Sequence, residues 1–407
     1  MKKLALSPTV LVLFDQGLSS GANFLLTLFL AQKLDIQNFG LFSSIVLVGY
    51  LIMSITNALI IQPFQVSIVK VVQKKQYYVF LFLGMLALLF IVVFLVQIMI
   101  FFLPIPIEYS VSINAFLCFI IGLLINDFFR KFFLALNKIT SAIIIDAVFL
   151  VLTVVFFYLF KDAVQLPNAL WIIGTANIVS AFYGIFFIIK NYERPKSWKT
   201  FTANHASQGK WLFSVAILQW CSTNFFVLVS GIYLGIQALA ALRLVQSFFG
   251  ILNVALQTVE NFVLPKVSHI YNENVAAAKK YLLKITFGGA ILFGIVLSVF
   301  FLFSEEIIVL AGGEKYREYG YVVKIIAVLY FFIFLSYPVR IAVRVMVLNK
   351  IFFYGYLLSF LSSVVTFHFL LKYSGLYGAV GGLIINQLIM IVYWQNQLKK
   401  NHFLLWK

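Results

Sequence analysis

The sequence predicts an all-α polytopic membrane protein of about twelve transmembrane helices, arranged as two parallel six-helix repeats that form an N-lobe and a C-lobe. Three observations carry that expectation. Of 407 residues, 63% are apolar and only 11% charged, with a mean hydropathy of +1.03; a soluble domain is roughly 45–50% apolar and about 25% charged. The apolar residues fall in runs of about 20, the length that crosses ~30 Å of hydrocarbon. Short segments of the first half also recur in the second half. A soluble enzyme of this size has nowhere to hide so much apolar surface. The 46 Phe argue against disorder, and two Cys exclude a disulfide scaffold.

The first run, 9–32, follows Met1-Lys2-Lys3, a start like that of a signal peptide. Ser7-Pro8 breaks the short run, Asp15-Gln16 follows, and no small-residue cleavage site precedes the next span, so an uncleaved first helix is expected. Runs at 41–69, 78–102, 110–134, 141–160 and 168–189 complete the first six. A polar stretch from Asn191 to Gly209, containing Pro195, separates them from 211–234, 244–265, 281–303, 321–347, 351–371 and 376–396. The expected lobes are therefore 1–190 and 210–407, joined by a cytoplasmic linker at 191–209. The second and tenth runs are long enough to tilt or to extend beyond the lipid.

Thirty Lys+Arg against 13 Asp+Glu gives a net charge of +17. With the N-terminus inside, 23 of the basic residues fall in cytoplasmic segments and seven, Lys33, Lys161, Arg243, Lys315, Arg317, Lys324 and Lys372, fall outside. That asymmetry places both termini in the cytoplasm and makes the basic excess a matter of topology, with no nucleic-acid partner. Cys118 and Cys221 read as small packing residues, the four His show no metal-ligand spacing, and no phosphate-binding loop of the G-x-x-x-x-G-K-[ST] type occurs.

Repetition organises the chain. Leu34-Asp35-Ile36-Gln37 recurs as Leu234-Gly235-Ile236-Gln237, and Asn23-Phe24-Leu25 answers to Asn224-Phe225-Phe226. A long helix is expected to end near Pro63 in one half and near Pro265 in the other, and Leu134-Ala135-Leu136-Asn137-Lys138 resembles Met346-Val347-Leu348-Asn349-Lys350. An even number of spans per half gives both halves one orientation, as in transporters built from parallel repeats. Gly17-x-x-x-Gly21, Gly231-x-x-x-Gly235 and Gly378-x-x-x-Gly382 predict close helix approach.

Asp15-Gln16-x-x-x-Ser20-Gly21-x-Asn23-Phe24, Phe39-Gly40-Leu41-Phe42, Asn57-Ala58-Leu59-Ile60 with Gln62-Pro63, and Phe128-Phe129-Arg130-Lys131-Phe132-Phe133 before Asn137-Lys138 resemble the Wzx-type oligosaccharide and O-antigen flippases. These belong to the polysaccharide transporter family of the multidrug/oligosaccharidyl-lipid/polysaccharide exporter superfamily. The resemblance is strongest over 10–140 and rests on helix count and length beyond. It implies a fold shared with multidrug-extrusion transporters and lipid II flippases, with two lobes around a central cavity. The implied cargo is a polyprenyl-diphosphate-linked oligosaccharide, a repeat unit of O-antigen, capsule or exopolysaccharide. Such cargo is moved across the bacterial inner membrane without enzymatic chemistry, in company with a polysaccharide polymerase and chain-length partners.

Charges within spans are the candidate site residues, because each costs ~2.5–3.5 kcal/mol at a helix centre unless it meets a cavity, a partner or the interface. Asp15, Asp127, Arg130, Asp146, Glu260, Arg340 and Arg344 all fall on the cytoplasmic side of the predicted spans. Arg340 and Arg344 share one face of the tenth helix and carry forked donors suited to a diphosphate; Arg130 on the fourth helix would complete the grip, the alternative being interfacial anchoring. Asp15 is a candidate for a coupling proton or sodium ion, for a counter-ion to an arginine, or for a structural salt bridge. Asp127 has a local partner in Lys131. Gln16, Asn23, Asn224, Gln257 and Glu260 are candidate polar groups of a cavity, and no metal site or cofactor is expected beyond the coupling ion. A drug or metabolite antiporter of the same fold is the alternative function. A membrane polysaccharide polymerase is a weaker one, because the longest external loop, Ser304 to Gly320, places Glu305 and Glu306 side by side, unable to flank a scissile bond.

Overall fold

The computed structural model describes residues 8–69, 71–102, 107–160, 164–196, 198–403 and 405. Lys2, Lys3 and Ser7, on which the expected N-terminal topology rests, lie outside these, as does Lys161. The first half forms α1 (Pro8–Lys33), α2 (Ile36–Ser67), α3 (Lys74–Phe102), α4 (Ile107–Ala135), α5 (Ile139–Leu159) and α6 (Leu166–Lys190). The second forms α7 (Trp198–Tyr233), α8 (Ile236–Glu273), α9 (Val275–Leu302), α10 (Gly320–Val345) and the helical stretch Asn349–Lys400. Gly375, at φ 53° and ψ −130°, breaks that 52-residue stretch into α11 (349–374) and α12 (376–400). Ten helices among the described residues are long and apolar enough to cross a membrane, the stretch broken at Gly375 being one of them. At 26 residues, α1 also has the length. Ile291, Leu292, Phe90, Phe186 and Val365 are among many large apolar side chains left uncovered by protein, as lipid-facing surfaces require.

The repeat is visible in the turns. The α1–α2 corner spans Lys33 to Ile36 and the α7–α8 corner spans Tyr233 to Ile236, in the register of the matched sequences. The α4–α5 and α10–α11 corners instead match two residues away from the expected alignment. In both, the second residue after the helix is left-handed, Asn137 at φ 56° and Val347 at φ 55°. The next N–H closes the same loop, Lys138 to the Phe133 carbonyl at 2.9 Å and Leu348 to the Val343 carbonyl at 3.1 Å. Asn137 therefore corresponds to Val347, not to Asn349. This register pairs Arg130 with Arg340, each two turns before its corner.

Both prolines expected to end helices lie inside them. Pro265 sits within α8, which runs on to Glu273. Pro63 follows a single wide turn at Asn57–Ile61, where the Gln62 N–H bonds the Asn57 carbonyl, and α2 continues to Ser67. Proline has no N–H for the carbonyl four residues back, here that of Leu59. His205 of α7 supplies the missing donor, its Nδ1 donating to Leu59 O at 2.9 Å while the Tyr77 hydroxyl donates to its Nε2 at 2.7 Å. A carbonyl can only accept, which fixes the tautomer. Helix α7 starts at Trp198, so most of the stretch expected as linker is helical. The Ser304–Gly320 segment, expected as a loop, contains a short helix Ser304–Gly312 and a 3₁₀ turn Glu314–Tyr319.

Packing divides the chain into two units, Met1–Ala22 with Ile45–Ile217, and Asn23–Ser44 with Leu218–Lys407. The first is built on aromatics: Phe64, Phe128, Phe129, Phe132 and Phe133 are fully buried, with Phe64 stacked on Phe132 at 5.3 Å. Gly184 leaves room for the Phe129 ring. The second packs around Trp394, stacked on Phe352 at 5.4 Å with its Nε1 donating to the Ile351 carbonyl at 3.2 Å. Within it the α1–α2 corner is tied down: Lys315 Nζ donates to the carbonyls of Gln32 and Leu34, and Gln32 Nε2 donates to the Leu310 carbonyl at 3.0 Å. The glycine pairs divide. A Cβ at Gly382 or Gly378 would overlap Phe226 or the Leu370 carbonyl, so these are close approaches. A Cβ at Gly17 or Gly21 would meet no described atom within 4 Å, so these two mark no close approach, and Gly235 serves a positive-φ corner, φ 93°.

Val347 is 70% exposed yet β-branched at a left-handed position. Val347→Gly is expected to raise stability by about 1 kcal/mol, and Gly375→Ala to lower it by ~1–3 kcal/mol, read as thermal midpoints in detergent. His205→Ala, which leaves the Leu59 carbonyl without its donor, should cost ~1–3 kcal/mol by the same measurement.

Candidate functional site

Among the described residues, each unit contains a buried cluster that joins arginine and carboxylate. In the first, Arg130 of α4 is held between two carboxylates. Its Nη2 donates to Asp15 Oδ2 of α1 at 2.7 Å and its Nε to Asp146 Oδ2 of α5 at 2.8 Å. Asp15 and Asp146 are 1% and 4% exposed. The pairing of Arg130 with Asp146 follows from the α4–α5 hairpin: in antiparallel helices, residues equidistant from the corner at Lys138 face one another. Two acids against one arginine leave an excess negative charge, and Asp15 Oδ1 is buried with no hydrogen-bond partner. Lys131 pairs with Asp127 one turn away at 2.7 Å, as the spacing predicted.

The second unit inverts this stoichiometry. Glu260 of α8, 3% exposed, faces two arginines of α10. Arg344 Nη1 donates to its Oε1, and Arg340 Nε lies 3.8 Å from the same oxygen, beyond hydrogen-bond distance. Arg340 Nε is buried without a hydrogen-bond partner, while the rest of its side chain is 28% exposed and that of Arg344 44%. The Arg340 guanidinium lies 5.7 Å from the Tyr337 ring centre and 5.9 Å from that of Phe352. Aromatic faces hold a cation without using its N–H donors. The cluster thus has one excess positive charge and open donors, an arrangement that can accept an oxyanion.

The uncharged candidates are placed differently. Asn224 is bonded within its own helix, Nδ2 to the Trp220 carbonyl at 3.0 Å, and Gln16 Nε2 reaches only Ser20 Oγ at 3.4 Å. Asn23 and Gln257 are exposed, and Gln257 does not join Glu260. Sequence reasoning missed Tyr337 and Phe352 as supports of Arg340. A buried neutral network also forms in the second unit: the Ser222 and Ser359 hydroxyls are bonded at 2.7 Å, and Asn386 Nδ2 donates to the Ser222 carbonyl at 3.2 Å and to Ser363 Oγ at 2.8 Å. Among the described residues, no group of three or more His, Cys, Asp or Glu is placed to hold a metal ion.

Arg130→Ala leaves two buried carboxylates facing each other and should destabilise the protein by ~3–5 kcal/mol. Arg130→Lys, a point charge unable to fork to both acids, should fall between this variant and the parent in thermal unfolding.

No protein-family model matches the sequence, and neither does any curated protein sequence. Solved structures share the fold. An inward-facing multidrug resistance MATE family transporter of the MOP superfamily is 12% identical, with a TM-score of 0.69 over 99% of this chain and 97% of that one. The lipid II flippase MurJ, in an inward closed conformation, is 14% identical, with a TM-score of 0.71 over 97% and 88%. A MOP superfamily transporter from Pyrococcus furiosus is 10% identical, with a TM-score of 0.64 over 97% and 95%. At these identities the likeness is one of fold: an all-helical, multi-pass membrane protein with the two-lobe, twelve-helix architecture.

Proposed function

We propose that this protein is a flippase that moves a polyprenyl-diphosphate-linked oligosaccharide from the inner to the outer leaflet of a bacterial cytoplasmic membrane by alternating access. The observation that carries this is the Glu260–Arg340–Arg344 cluster. It keeps one unneutralised positive charge, and Arg340 Nε is buried without a hydrogen-bond partner among the described residues. Two guanidinium forks on one helix face match the oxygens of a diphosphate and its charge. The shared fold of MATE transporters and MurJ supports membrane transport in general, and the likeness to MurJ supports a lipid-linked cargo. The excess of Lys and Arg in the segments assigned to the cytoplasm supports termini on that side.

Arg130 is already shared between two acids, so the grip is assigned to Arg340 and Arg344 alone. Asp15, with one buried carboxylate oxygen unpartnered, is the proposed site of a coupling proton or sodium ion. That feature equally suits a cation-coupled drug antiporter, so cargo and coupling are tested separately.

Replacing both Arg340 and Arg344 with Ala should abolish surface polysaccharide while the protein still inserts, and should lower affinity for a short polyprenyl diphosphate by at least about tenfold. Parental glycan levels in that strain would refute the diphosphate grip. In proteoliposomes, Asp15→Asn should make transport indifferent to an imposed pH or sodium gradient; transport that still follows the gradient leaves Asp15 a structural partner of Arg130.

A further inference from the structure

At one end of the first unit the chain between α6 and α7 is strapped across the start of α3. Gln76 of α3 holds the strap with both atoms of its amide: Nε2 donates to Glu193 Oε1 at 2.6 Å, and Oε1 accepts from the Lys196 N–H at 2.8 Å. Trp198 then packs edge-on against Phe80, ring centres 5.6 Å apart, and Tyr78 lies 6.1 Å from Phe187 of α6. These contacts gather the charges of two segments distant in sequence. Residues 70–75 and 190–199 contain seven Lys or Arg and one acid, Glu193, which Gln76 engages. Lys74, Lys75, Lys190, Arg194, Lys196 and Lys199 are exposed, and among the described residues none of them forms an ion pair. Arg317 of the other unit, also exposed, is by contrast forked to Glu314.

The patch lies at the edge of an uncovered apolar surface. Phe186 and Ile189, directly before Lys190, are 65% and 66% exposed, and Tyr192 and Trp198 are exposed among the basic residues. Uncovered apolar side chains belong in hydrocarbon, and Tyr and Trp collect where hydrocarbon gives way to headgroups. The charges that follow them therefore stand at headgroup depth. From this arrangement we infer that the strap and the start of α3 form a binding surface for anionic phospholipid headgroups. Four to eight basic residues beside a span recognise anionic lipid, each strengthening binding by about fivefold. Arg194 can fork to a phosphodiester, and the lysines bring point charges on flexible stems, which suits headgroups that exchange. Orienting a helix requires only that basic residues be present in its loops; the Gln76 bonds do more, by joining two loops into one exposed face. The strap also connects the two halves of the chain, so bound headgroups hold that junction to the bilayer. The Glu260–Arg340–Arg344 cluster belongs to the other unit, and this surface stands whether or not that cluster carries a diphosphate.

The test is a titration of tail-labelled fluorescent phosphatidylglycerol into the full-length protein in phosphatidylcholine mixed micelles. Phosphatidylglycerol should bind at least about tenfold more tightly than phosphatidylcholine with the same tails, and the preference should shrink as salt rises. Lys74→Gln, Lys75→Gln, Lys196→Gln and Lys199→Gln combined should weaken it by at least about tenfold and leave affinity for a short polyprenyl diphosphate unchanged. Glu193→Gln keeps an oxygen for Gln76 and removes the one negative charge, so it should tighten binding by about fivefold; this variant carries the test if the fourfold one does not fold. Arg340→Ala with Arg344→Ala should lose the diphosphate and keep the phosphatidylglycerol preference. Equal affinity for the two phospholipids, or a preference that the fourfold variant retains, overturns the surface and leaves the diphosphate grip standing. Competition by a short polyprenyl diphosphate that persists without Arg340 and Arg344 overturns it as well, by making the patch a site for cargo.

Discussion

A guanidinium removed from water must be given back its charge partners, and the interior of each unit is arranged around that requirement. Leaving one ion of a buried set unpaired costs several kcal/mol, more than most packing defects. Arg130 meets the condition twice over, with Asp15 from α1 and Asp146 from α5. Three helices are therefore fixed against one another at one point, and the fully buried Phe128, Phe129, Phe132 and Phe133 pack around the same stretch of α4. The second unit meets the condition only in part, because Glu260 must serve two arginines.

The corrected register makes the two clusters comparable. Arg340 stands where Arg130 stands, two turns before a left-handed corner. Tyr356 of α11, as far beyond its corner as Asp146 is beyond Lys138, takes the place of that carboxylate. Tyr356 is buried, but it brings a phenol where the first unit brings a negative charge. Glu260, from a helix with no equivalent role in the first unit, partly compensates. One substitution of residue type at a repeated position thus turns an acid-rich cluster into a base-rich one.

Much of this was readable from residues alone, and the failures have physical causes. Apolar runs located the spans because a hydrocarbon layer tolerates little else. Leu34–Gln37 and Leu234–Gln237 found their register because the same short corner follows both helices. Aligning Asn137 with Asn349 failed because the backbone repeats a positive φ and not a letter; Val347 occupies that position at a cost in strain. Pro63 and Pro265 misled because a helix survives a missing N–H when the local turn widens or another donor reaches the carbonyl, as His205 does. The Arg130–Asp146 pair was legible in principle, from their equal distances to the corner at Lys138. The short contact of Arg344 with Glu260 was not, because it depends on how α8 lies beside α10.

The single excess positive charge of the Glu260 cluster has an electrical consequence for the proposed cargo. A diphosphate diester brings two negative charges, so loading changes the cluster from +1 to −1. In a membrane negative inside, each charge is worth ~2.3 kcal/mol per 100 mV across the full field. In the proposed carrier the potential would then push the loaded cluster outward and draw the empty one back inward. A cluster balanced like a simple ion pair would gain only on the loaded stroke; with the unmatched arginine, the resting potential would also act on the empty cluster.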